Sequence, residues 1–256
     1  MNIFLANNRP YENISFNDVA AQDRARHIIE LITPKTPNLP LVRLGSERDG
    51  GYVMINDFSS QDTILSFGIE NNIDIETELS KVVKEVHMYD GTIDGLPYTL
   101  DNGVFFKEML SEKPGTGLAD LKKAISRASG ENIVIKCDIE GSEWKLFANA
   151  KIEDLRKVRQ IVIEFHWTER ILSDEFYGVV KNTLEKLYST HQPVNVHENN
   201  YSRAHNFGEI ILPSVLEVTY ANRDYYSFSD YDSSKYYDLN KTNCKEGLDL
   251  FWSKPW

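Results

Sequence analysis

The stretch NIVIKCDIEGSEWKLF, residues 132–147, runs an apolar strand pattern into Asp138, Glu140 and Glu143, with Gly141 among them. The later run VRQIVIEFHW delivers Glu164 and His166 two positions apart, hence on one face of a strand. Carboxylates and an imidazole gathered at strand ends have two chemical uses. They can take a proton from a poorly nucleophilic hydroxyl, or hold a divalent cation that makes a bound oxygen more acidic. A mixed oxygen and nitrogen set suits Mn²⁺ or Mg²⁺ better than structural zinc. Asp138, Glu164 and His166 are therefore the candidate catalytic residues and the candidate metal ligands. His197, in VHENNY, completes the set if its loop folds inward. The competing reading is structural: acids at positions 140 and 143 complement a helix N-terminus, and histidines pack as ordinary side chains.

These residues require elements that bring them together. Apolar strand patterns each lead to a glycine or an acid and alternate with helical segments: TILSFGIENNID with IETELSKVV, EVHMYDG, the weaker GVFFKEML with GLADLKKAISRA, NIVIKCDIEG and its helix, and VRQIVIEFHW with FYGVVKNTLEKLYS. Such alternation predicts a mostly parallel sheet covered on both faces. The last two strand patterns, PVNVHENN and SVLEVTYANR, are separated by too little chain for a crossover helix, so they are expected to form an antiparallel closing pair. Ahead of the sheet, LVRLGSERDGGYVMIND reads as a hairpin turning at Asp49, Gly50 and Gly51. NDVAAQDRARHIIELI reads as an amphipathic helix ended by the prolines of TPKTPNLP. One domain accounts for the chain, with residues 1–40 as a helical cap, 41–222 as the core and 223–256 as a Tyr-rich tail. The tail is expected to wrap the surface or to serve as a substrate lid.

Composition narrows the function. The 256-residue chain carries a formal charge of −11 and no cluster of lysine and arginine, which disfavours nucleic acid and anionic membranes as partners. Neither a long apolar span nor the charged and apolar regions of a signal peptide is visible, so a cytoplasmic location is expected. Two cysteines, Cys137 and Cys244, give neither a disulfide framework nor a zinc spacing.

Ligands of parallel α/β sheets bind outside the carboxyl ends of the strands. The first such end, LSFGIENN, offers the single Gly68 where a dinucleotide fingerprint has three glycines, which counts against a pyrophosphate. About twenty residues on, Asp90 ends the next strand, where an acid can bind both ribose hydroxyls. An adenosine cofactor without phosphates, such as S-adenosylmethionine, fits this pair. The alternatives are a strand-to-helix turn at Gly68 and an Asx-turn before Gly91.

The segments LVRLGSERDGGYVM, ILSFGI, YDGTIDG, IKCDIEGSEW, VIEFHW and VHENNY stand in the order seen in the FkbM-like S-adenosylmethionine-dependent methyltransferases, in the branch with the DGGY segment. The chain resembles that family over about residues 40–222. The resemblance implies a class I methyltransferase fold, Rossmann-like, with seven strands, helices on both faces and an antiparallel last strand. It implies O-methylation of a hydroxyl, most plausibly on a sugar nucleotide for capsule or surface polysaccharide. On the matching segments it implies cofactor contacts from Arg43, Asp49, Gly51, Tyr52, Gly68, Asp90, Gly91, Thr92 and Asp138. For the acceptor it implies contacts from Glu140, His197, Asn199, Asn200 and Arg203, the asparagines reading hydroxyls and Arg203 a phosphate. SFGIENN departs from the family as a thin version of its glycine-rich loop. A small secondary metabolite as acceptor, or an adenosine-binding module without catalysis, are the alternatives; a nucleotide-dependent oxidoreductase lacks its phosphate glycines.

Overall fold

A computed structural model describes residues 11–15, 18–236 and 238–256. Seven strands form the central sheet: β1 (Asp62–Phe67), β2 (Glu85–Tyr89), β3 (Gly103–Phe106), β4 (Asn132–Cys137), β5 (Val158–Phe165), β6 (His191–Glu198) and β7 (Leu216–Asn222). Their order across the sheet is β6-β7-β5-β4-β1-β2-β3. All neighbours are parallel except β7, which runs antiparallel to both β5 and β6. This strand order, with one reversed strand inserted near the edge, is the class I methyltransferase fold expected from the sequence. The order reverses between β1 and β4, and ligands of open α/β sheets bind at that crevice.

Burial on both faces explains the composition of the inner strands, since β1, β4 and β5 are almost wholly covered. Alternate residues divide between two cores. Leu65, Ile135 and Ile163 face the layer that holds α1 (Val19–Ile32), α3 (Leu121–Arg127), α4 (Glu143–Asn149) and α5 (Asp174–Thr190). Ile64, Val134 and Val162 face α2 (Asp74–Ser80) and a hairpin of Leu41–Gly45 with Gly51–Ile55. α1 starts on Asp18, whose carboxylate accepts from the Ala21 amide at 3.2 Å and caps the helix.

The hairpin lies flat on the sheet. Gln160 of β5 holds it through both amide groups, accepting from the Ile55 amide at 3.0 Å and donating to the Ile55 carbonyl at 3.1 Å. Its turn spans positions 46–50, so Gly51 begins the second strand and pairs with Gly45. The tail then crosses the hairpin, with Tyr226 and Tyr236 packing against Leu41, Val53 and Ile55. Between β6 and β7 the chain makes a second hairpin, Ala204–Phe207 with Ile210–Pro213, which pairs with the strand Tyr11–Ser15. No described helix is long and apolar enough to cross a membrane.

Candidate active site

The ends of β1 and β4 approach so closely that only glycine fits between them. Gly68 has φ +74°, and a Cβ there would lie 1.6 Å from the Asp138 carbonyl oxygen. Gly68 is therefore required by the strand crossing, and its small size also opens a cavity of about 390 Å³ beside it. Lys136 donates its ammonium to the Gly68 carbonyl and fixes the end of the loop from the β4 side.

Asp90 holds the opposite side of the loop. One carboxylate oxygen accepts from the amides of Ile69 at 3.0 Å and Glu70 at 2.9 Å. The other accepts from the Thr92 amide at 2.7 Å and its hydroxyl at 2.6 Å. Burial pushes the pKa of this carboxyl up, but the four hydrogen bonds together outweigh it and hold the group below its usual range. Asp90 thus lines the cavity, as do Gly91 and Thr92, with its acceptor sites filled by the protein itself. A ribose hydroxyl would have to share an oxygen with Thr92.

Behind Asp138 and Glu140, which line the cavity, buried His166 is aimed by Glu143. One Glu143 oxygen accepts from the His166 amide at 2.7 Å and stands 3.1 Å from Nδ1; the other accepts from the Gly141 amide at 2.8 Å. Nδ1 therefore carries the hydrogen, and Nε2 points at three more carboxylates: Glu140 at 3.5 Å, Glu164 at 3.8 Å and Asp138 at 3.9 Å. Burial lowers the imidazole pKa, but Glu143, Glu164 and Asp138 outweigh it and push it up to about 10. Burial, with neighbouring negative charge added, raises the carboxyls of Asp49, Glu140 and Glu164 above their usual range, Glu164 well above.

Tyr52 reaches down from the hairpin and bridges two of these acids, its hydroxyl 3.1 Å from both Asp138 Oδ2 and Glu164 Oε2. Burial and the adjoining carboxylates push its own pKa up, so it stays a phenol and a hydrogen donor. Asn199 donates to Glu164 at 2.8 Å and to Asp49 at 3.3 Å, and Asn243 of the tail donates to Glu217 at 2.7 Å and to Asp49 at 3.2 Å. With Glu164 opposite Glu217, and Glu217 opposite His197, a polar row crosses three strands under the hairpin.

These positions revise several sequence expectations. The donor atoms that converge within 4.8 Å belong to Asp138, Glu140 and His166. Glu140 stands in that group where the sequence pattern suggested Glu164, whose two oxygens accept from Tyr52 and Asn199. His197 pairs with Glu217 at 3.1 Å and does not join. Asn199 braces Asp49 and Glu164, and Asn200 exchanges hydrogen bonds with the Cys244 backbone. Arg203 sits on the connection before Ala204, outside the cavity wall. Arg43 donates to the Ser46 and Arg48 carbonyls of the hairpin turn, and a Cβ on Gly51 would strike that guanidinium at 2.4 Å. Both serve the turn, while Asp49, Tyr52 and Asp138 line the cavity.

Sequence reasoning passed over Lys136, Trp167, Glu217 and Asn243. Lys136 had a signal, a lone cation inside the apolar run IVIKC. Trp167 had none, because its place depends on a left-handed backbone, φ 63° and ψ 42°. The three non-glycine residues with positive φ among those described, Glu70, Glu140 and Trp167, follow the ends of β1, β4 and β5. Such conformations cost on the order of 1–3 kcal/mol each and concentrate at functional sites.

No family model and no curated protein matches the chain. Among solved structures it is similar to the N-methyltransferase NodS from Bradyrhizobium japonicum, at 9% identity over 80% of this chain and 98% of that one, TM-score 0.34. It is similar to an rRNA methylase from Streptococcus thermophilus, at 9% identity over 64% and 89%, TM-score 0.36. A tRNA methyltransferase from Aquifex aeolicus aligns at 12% identity over 83% and 72%, TM-score 0.34. Likeness at these values carries no argument; the strand order of the sheet identifies the fold.

Proposed function

We propose that the protein is an S-adenosylmethionine-dependent O-methyltransferase acting on a sugar hydroxyl. The observation that carries this reading is the charge of the cavity at the strand-order reversal. Its wall holds the carboxylates Asp49, Glu70, Asp90, Glu108, Asp138 and Glu140 against the single cation Lys136. A wall of that sign suits a cofactor with a cationic sulfonium and ammonium, and repels the pyrophosphate of a dinucleotide. When bound, the cofactor supplies a methyl group on positively charged sulfur, open to in-line attack.

The chain's own residues then have three tasks. Gly68 and the loop fixed by Asp90 and Lys136 seat the cofactor beside β4. Asp138, 28% exposed at its side chain, faces the cavity and accepts the proton of the incoming hydroxyl. Tyr52 keeps Glu164 and Asp138 at fixed separation, Asn199 ties Glu164 to Asp49, and Glu143 holds His166 so that Nε2 faces Asp138 and Glu140.

The donor set of two carboxylates and one imidazole fits Mn²⁺ or Mg²⁺, and such an ion would lower the pKa of a coordinated hydroxyl. The sugar acceptor, and its use as a nucleotide in capsule or surface polysaccharide, rest on the resemblance of the DGGY-containing segments to the FkbM-like family. The test is a screen of sugar nucleotides with the methyl donor, read by mass for one added methyl group, before and after exhaustive chelation. Transfer that is lost on chelation and restored by Mn²⁺ supports the cation; transfer indifferent to chelation leaves Asp138 as a metal-free base. Preference for NAD over the methyl donor would reject the reading.

A further inference from the structure

A second cavity, of about 490 Å³, adjoins the first, and Leu110, Glu140 and Ser142 belong to both walls. It meets the first at Glu140, two residues from Asp138, so a molecule seated in it lies next to the cavity that Asp138 lines. Trp167 forms one wall. Its left-handed backbone turns the chain out of β5, and its ring lies against Gly141, where a Cβ would stand 2.1 Å from a ring carbon. A glycine at 141 and a strained residue at 167 are thus two halves of one arrangement, which leaves the indole 38% exposed on the cavity.

Arg170 completes it. Its guanidinium carbon lies 5.2 Å from the Trp167 ring centre and 4.8 Å from that of Phe176, so two aromatic rings hold the planar group in place. Among the described residues the guanidinium makes no hydrogen bond or ion pair. The same holds for the ammonium of Lys145, the only other cation of this wall. Glu112, Glu175 and the shared Glu140 line the same cavity without pairing with either cation. An exposed arginine fork lying against two rings with all its donors available, seconded by a lysine, is the chemistry of phosphate recognition. The glutamates offer acceptors for hydroxyls, and the indole offers an apolar face.

We infer that this cavity is the acceptor subsite and that Arg170, with Lys145, binds a phosphate group of the acceptor. The inference rests on the methyltransferase reading for the identity of the neighbouring cavity. It moves the phosphate contact from Arg203 to a residue that the sequence pattern did not single out, and it defines the acceptor class as a phosphorylated sugar or sugar nucleotide.

The test follows the indole N–H resonance of Trp167, assigned with Trp167→Phe, while inorganic pyrophosphate and then UDP-glucose are titrated into the protein with and without S-adenosylhomocysteine. The expected result is a saturable shift of that resonance with either probe. Arg170→Gln should weaken binding at least tenfold, Arg170→Lys should fall between, and affinity for S-adenosylhomocysteine should stay unchanged in both. A Trp167 resonance that neither probe moves, or equal affinity in wild type and Arg170→Gln, overturns the inference. Failure of the wild type to bind S-adenosylhomocysteine rejects the methyltransferase reading instead, and leaves the pyrophosphate result to be judged separately.

Discussion

His191 and His166 are both buried histidines at edges of the same sheet, and their surroundings drive them in opposite directions. His191 opens β6 at the edge where the parallel strands begin. Its Nε2 donates to the Val158 carbonyl at 2.9 Å and its Nδ1 accepts from the Thr190 hydroxyl at 2.8 Å, which satisfies a neutral ring. Burial pushes its pKa down to about 4. The other buried charges nearby are also matched, since Arg159 pairs with Asp62 at 2.6 Å. His166, just beyond the carboxyl end of β5, is surrounded by four carboxylates and is pushed up to about 10. One edge answers its histidine and its buried ion pair. The other gathers four carboxylates around one imidazole, the kind of charge cluster that concentrates at functional sites.

Breaking that comparison at the charged edge should have the largest effect. Asp138→Asn preserves size and the hydrogen bond from Tyr52 but removes the base, so methyl transfer should fall about 10²–10⁴-fold. Affinity for S-adenosylhomocysteine should change little, because the Gly68 loop is fixed by Asp90 and Lys136. Rates from the mass assay, set beside calorimetric affinities, check both halves.

The next effect belongs to the neutral edge. A histidine whose folded pKa is depressed contributes stability that is present above its unfolded pKa and is lost as pH falls through the folded one. For His191 that window runs from 6.5 down to about 4. Wild type should lose on the order of 3 kcal/mol across it from this residue. Urea unfolding of wild type and His191→Gln at several pH values should show the steeper decline in wild type.

Glu164→Gln should have the smallest effect and the opposite sign. Its carboxyl is raised by burial first, then by Asp138 and Glu217, and a raised group loses its stabilising share as pH climbs through the folded pKa. A glutamine can still accept from Asn199 and donate to the Tyr52 oxygen, so the variant should gain about 1 kcal/mol in urea unfolding at pH 8. A loss of stability there would mean that the ionised carboxylate is needed by the fold.

Legibility in the sequence follows the same division. Strand alternation and the short last connection are local patterns, and they lead to the correct sheet. Asp138 and His166 were legible because each follows a strand directly, and strand ends converge in this fold. Glu164 stands 3.8 Å from His166 and shares Tyr52 with Asp138, but its hydrogen-bond partners Tyr52 and Asn199 were not legible, since they come from a hairpin and a loop whose docking has no local signature. Arg43 and Gly51 illustrate the reverse error. Their motif is a feature of the turn's internal packing, and the cofactor contacts expected of them rested on the family resemblance alone. Asn243 reaches Asp49 across 194 residues of chain, a contact that only tertiary structure creates.

Cofactor choice is the claim on which the rest depends, and calorimetry of the unmodified protein with S-adenosylmethionine and with NAD, at equal concentrations and neutral pH, tests it most directly. The acidic cavity at Gly68 predicts saturable binding of S-adenosylmethionine and no detectable heat with NAD. Binding of NAD in preference, or no binding of S-adenosylmethionine by well-folded protein, would contradict that choice.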